Sequence, residues 1–132
     1  MSVPPSLLMV NAFIGTASFK PLYQALGYAV MTEWSERKAI SLLRKNPPAV
    51  VVADFFHQTD FRDRLSNLES LLATAQRFPG TRILVFYEPA HQAALDTVRA
   101  RLRIDAALPL PVQEDALRST LQTWLSNATL PD

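Results

Sequence analysis

Apolar residues fall into two kinds of run along this chain, and their alternation sets the architecture. Short unbroken runs occur at Ser6-Leu7-Leu8-Met9-Val10, Tyr28-Ala29-Val30-Met31-Thr32, Pro48-Ala49-Val50-Val51-Val52-Ala53, Arg82-Ile83-Leu84-Val85-Phe86-Tyr87 and Ala106-Ala107-Leu108. Runs of this length, rich in β-branched residues and bounded by turn formers, suit strands buried on both faces. Between them the apolar positions take helical spacing. Leu22, Ala25 and Leu26 follow a possible cap at Ser18, with Pro21 in the first turn and Gly27 as the stop. Ser35 opens a second helix reaching Lys45, striped by Ala39, Ile40 and Leu43 and halted by Asn46-Pro47-Pro48. Leu65, Leu68, Leu72 and Ala75 stripe a helix over 62–77, stopped by Pro79-Gly80. Ala94, Leu95, Val98 and Leu102 stripe the next, which Glu88-Pro89 opens. Leu117, Leu121, Trp124 and Leu125 stripe the last, which begins at the acidic turn Gln113-Glu114-Asp115.

Five strands alternating with five helices predict a three-layer α/β domain with a parallel sheet and right-handed crossovers. One domain over 1–125 with a frayed tail over 126–132 is the expected organisation. Asp54 is expected just past the central strand, at the carboxyl edge where open α/β sheets place their chemistry.

Composition narrows the function classes. Of 132 residues, 48% are hydrophobic and 19% charged, which is a globular balance. A net charge of +1 gives no ground for a nucleic-acid or membrane surface, despite the cluster Arg99, Arg101 and Arg103. The lack of cysteine excludes disulfides and thiolate chemistry. No apolar run has membrane-spanning length, and Met1-Ser2-Val3-Pro4-Pro5 lacks a signal peptide's charged start, so a cytoplasmic setting is expected.

Leu26-Gly27-Tyr28-Ala29-Val30, followed by Pro48-Ala49-Val50-Val51-Val52-Ala53-Asp54, resembles the pattern of CheY-like receiver domains in two-component response regulators. The resemblance implies a flavodoxin-like, doubly wound five-stranded sheet of order 2-1-3-4-5, with Asp54 at the phospho-accepting position. The rest of that family's site is altered here. Its magnesium-holding acidic pair corresponds to Asn11 and Ala12. Its Ser or Thr at the end of the fourth strand corresponds to Tyr87 or Phe86, and its Lys-Pro to Leu110-Pro111.

Phosphoryl transfer depends on positioning and charge neutralisation, so these differences bear directly on the chemistry. Magnesium commonly takes one or two carboxylates beside waters and phosphate oxygens. Asp54 is the obvious carboxylate at that edge, with Glu88 the nearest alternative. Losing one electrostatic contributor typically costs about 10²–10³ in rate. The expectation is therefore a degenerate receiver, not an enzyme, that works by protein contact without aspartyl phosphorylation. Magnesium enters only if the site is functional. The alternatives are a phosphorylatable receiver using Asp54 and a small ligand-binding flavodoxin-like module.

Two surfaces are candidates for a partner. The spacing from Asp54 to Tyr87 exceeds the family's, which places extra residues after Asp54. Phe55, Phe56 and Phe61 there form either an exposed patch rimmed by His57, Asp60, Arg62 and Arg64 or a plug for the emptied acidic pocket. Receivers commonly dimerise through helix 4, strand 5 and helix 5. There Arg99, Arg101, Arg103, Asp96 and Asp105 suit either cross-dimer ion pairs or a solvated charged face. His57, Asp60 and Asp63 are too scattered to predict a metal site and read as loop residues; His91 reads as a surface residue. Gly15-Thr16-Ala17-Ser18 lacks the spaced glycines and lysine of a phosphate loop.

Overall fold

The computed structural model describes residues 4–10, 19–55 and 69–129. Its strands are β1 (Ser6–Val10), β2 (Ala29–Glu33), β3 (Val50–Phe55), β4 (Arg82–Tyr87) and β5 (Ala106–Pro109). They form one parallel sheet in the order β2-β1-β3-β4-β5. The helices are α1 (Lys20–Ala25), α2 (Glu36–Lys45), α3 (Glu69–Ala75), α4 (Gln92–Arg99) and α5 (Glu114–Thr129).

Strand pleating sends alternate residues into two apolar clusters, one on each face of the sheet. Leu8, Val51, Ala53, Phe55, Ile83, Val85 and Tyr87 pack with Ala39 and Leu43 of α2, Leu71 and Leu72 of α3, and Leu95 and Val98 of α4. On the other face Leu7, Met9, Val50, Val52, Leu84 and Phe86 pack with Leu22 and Tyr23 of α1 and Leu117 and Leu121 of α5. The expected three layers are therefore present. All six residues of β3 are buried, as a central strand covered on both faces requires.

The local signals act largely as anticipated. The Ser35 hydroxyl accepts the Lys38 backbone N–H at 3.4 Å, capping α2. Gly27 ends α1 with φ +104°, the left-handed conformation that favours glycine. The Pro79-Gly80 turn is closed by the Thr81 N–H donating to the Phe78 carbonyl at 3.0 Å.

Several boundaries differ from the sequence reading. The inner face of α1 is built from Leu22 and Tyr23 with Leu26 partly buried, while Ala25 is exposed. Pro89–His91 form a separate 3₁₀ turn before α4, and Leu102 lies past the end of α4 yet still packs on the core. The last helix continues through Thr129, beyond the expected limit at Leu125. The helix expected over 62–77 is seen as α3; residues 62–68 lie outside the described part, as does Ser18.

Candidate functional site at the carboxyl edge of the sheet

Asp54 is not past the strand but inside it, next to last in β3 and paired in register with Phe86 of β4. It is only 4% exposed. Its parity along β3 matches Val50 and Val52, which puts it on the sheet face covered by α1 and α5. Tyr23 from α1 shares that face. Burial pushes the Tyr23 hydroxyl far above its ordinary range, and the nearby Asp54 carboxylate adds to the rise. Phe19, just before α1, meets Phe86 edge to face, with ring centroids 6.1 Å apart. Tyr23 and Phe86 thus lie on the sheet face that carries Asp54, with Phe19 against Phe86.

The family's hydroxyl position is filled by a bulky residue on either reading. Phe86 lies opposite Asp54 and is 3% exposed; Tyr87 lies opposite Phe55 and belongs to the α2/α3/α4 cluster. The Leu110 backbone N–H donates to the Tyr87 carbonyl at 2.8 Å, holding the segment after β5 against β4. The Leu110 side chain packs on the α1/α5 cluster, so the lysine position is part of the core margin. The bond from Leu110 to Pro111 is cis. Asn11 and Ala12, directly after β1, lie outside the described residues.

The sequence differs from a receiver's magnesium site at two donor positions. Hard-cation sites gather oxygen ligands, and the two sequence positions that supply carboxylates in receivers carry an amide and a methyl group here. Among the described residues no three His, Asp or Glu side chains converge. Glu88, the nearest alternative, is exposed just past β4.

Phe55 requires a correction as a partner-surface candidate. Because β3 extends to residue 55, the pleat turns this ring into the α2/α3/α4 cluster, where it is 1% exposed. Phe56, Phe61, His57, Asp60, Arg62, Asp63, Arg64 and Gly15 to Ser18 lie outside the described residues. His91 is half-buried in the 3₁₀ turn.

The arginine cluster is also largely committed within the chain. Arg103 donates to Asp105 at 2.7 Å, to the Thr81 carbonyl at 3.0 Å, and to the Phe78 and Ala75 carbonyls at 3.3 and 3.4 Å. It thereby ties the end of α3 and the turn after it to the approach to β5. Asp105 also accepts the Ile83 N–H at 2.7 Å, and Gln76 bonds both the N–H and the carbonyl of Arg103. Arg101 pairs with Glu69 at 3.3 Å, and Arg99 donates to the Ile104 carbonyl at 3.2 Å. Cross-dimer pairing would compete with these bonds. Sequence spacing placed the arginines together but could not reveal carbonyl partners that only the fold supplies.

Compared with protein-family models and with curated proteins, the sequence matches none. Solved structures resemble it closely in shape. The signal receiver domain of an HD domain-containing protein from Pseudomonas fluorescens Pf-5 superposes with a TM-score of 0.73 at 16% identity, covering 96% of this chain and 90% of that one. A response regulator receiver domain protein from Clostridium thermocellum gives 0.72 at 15% identity, over 94% and 96% of the two chains. A response regulator from Thermotoga maritima gives 0.69 at 20% identity, over 94% and 99%. With the strand order β2-β1-β3-β4-β5, these likenesses establish that the chain has the CheY-like fold of response-regulator receiver domains.

Proposed function

We propose that this chain is a degenerate receiver domain, which signals through protein contact and does not cycle through aspartyl phosphorylation. One observation carries the reading. The carboxylate at the phospho-accepting position is buried in β3 on the face shared by Tyr23 and Phe86, while the position of the family's lysine holds Leu110, packed on the core. A phosphoryl group arriving at Asp54 would bring about two negative charges into that setting. The fixed cation that neutralises such charge in receivers is missing at position 110, and Asn11 and Ala12 supply no carboxylate for a metal.

Regulation then rests on surfaces, and Asp54 becomes a residue of the fold. The test is incubation with acetyl phosphate and magnesium, read by intact-protein mass spectrometry. The expected result is no phosphoryl adduct. An adduct lost in Asp54→Asn would establish the phosphorylatable alternative instead.

A further inference from the structure

A groove away from Asp54 runs along α2. It has a volume of about 720 Å³ and is lined by Arg37, Ser41, Arg44 and Lys45 of α2 and by Ser70 of α3, with Ile40 also in its wall. Its α2 lining runs from Arg37 to Lys45, in a helix of ten residues that spans about 15 Å. Three cations therefore share one trough with three hydroxyls, those of Ser35, Ser41 and Ser70. Among the described residues none of the three forms an ion pair. Glu69, beside Ser70, pairs with Arg101 at 3.3 Å. At the head of the groove Ser35 caps α2, and the residue before it, Trp34, is 63% exposed.

We infer that this groove docks an acidic amphipathic segment of a partner protein, with carboxylates facing Arg37, Arg44 and Lys45 and an apolar side chain meeting Trp34 or Ile40. The inference rests on the protein-contact reading above and names the surface and the partner's chemistry. Charge complementarity selects the sign of the partner. Spacing selects its size: Arg37 and Arg44 stand two turns apart, about 10 Å along the axis, too far to grip one phosphate between them. Arginines in the groove and an exposed tryptophan one residue before its lining are residue types enriched at interface hot spots. A nucleic acid fits less well, because three cations neutralise few phosphates and the chain's net charge is only +1.

The probe is a fluorescein-labelled helical peptide of glutamate and leucine at alternating helical positions, titrated with the intact chain and followed by anisotropy. Saturable binding is expected, with a change in Trp34 emission that is lost in Trp34→Phe. Arg37→Gln combined with Arg44→Gln should weaken binding at least about tenfold, each tenfold being 1.4 kcal/mol, with an unchanged circular dichroism spectrum. A lysine-for-glutamate peptide should not bind. Absence of binding, or equal binding by the double variant, would overturn the proposal. So would displacement by orthophosphate at an ionic strength where chloride has no effect, since that marks a small-anion site. A dimer in sedimentation that the double variant dissociates would assign the groove to a second copy and overturn it as well. The phosphoryl-adduct experiment addresses Asp54 separately, so failure of the groove leaves the degenerate-receiver reading standing.

Discussion

Tyr23 and Tyr28 tie the α1 side of the core to the pH dependence of stability. Burial raises both hydroxyls, Tyr28 to about 12, and Asp54 adds to the rise at Tyr23. An unfolded tyrosine titrates near about 10. Below that pH both states hold the phenolic proton, and the stabilisation is fully present. As pH rises from about 10 through about 12 the unfolded chain ionises first, and stability falls. Urea midpoints should therefore be level from neutral pH to about 10 and drop above it. Tyr28→Phe should flatten part of that drop. It should also cost about 1 kcal/mol at neutral pH, because the Tyr28 hydroxyl donates to the Leu121 carbonyl at 3.3 Å. Arg103 gives a second residue-scale prediction. Arg103→Ala removes four hydrogen bonds from a partly exposed guanidinium and should cost about 1–3 kcal/mol by urea unfolding. Arg103→Lys should recover little, since an ammonium cannot fork to several carbonyls. Neither network was legible in the sequence. Position alone does not say whether Tyr23 faces the sheet or whether Arg103 turns back under the chain.

The elements themselves were far more legible, for a physical reason. A strand buried on both faces is apolar at nearly every position, and a helix covering it must carry a stripe, so β3, β4 and α2 declare themselves. The edge strands β2 and β5 are only half-buried, and their limits are correspondingly weaker signals. Polar residues at strand ends were the misleading ones. A carboxylate suggests that a strand has finished, yet β3 carries Asp54 inside it and closes on Phe55. That two-residue difference takes Phe55 off the surface and into the core. Leu43 illustrates how much the stripe matters: it is fully buried between α2 and the sheet. Leu43→Ala should lower stability by about 2–5 kcal/mol in chemical denaturation. The exposed neighbours Arg44 and Lys45 should tolerate substitution by glutamine within about 0.5 kcal/mol.

For the molecule as a whole, the fold does not decide the chemistry. The sheet order and crossovers are those of receiver domains, and a fold of this kind hosts many activities, so the activity has to be argued from the site. There Asp54 is buried within β3, while the positions matching the family's metal and phosphate ligands carry Asn11, Ala12 and Leu110. The most direct test is an amide NMR titration of the intact chain with magnesium and beryllofluoride, the phosphoryl mimic. The account predicts no saturable change at Asp54, Phe55, Tyr87 or Leu110, in the wild type and in Asp54→Asn alike. Saturable shifts at those residues, absent from Asp54→Asn, would contradict it and make this a working phospho-receiver.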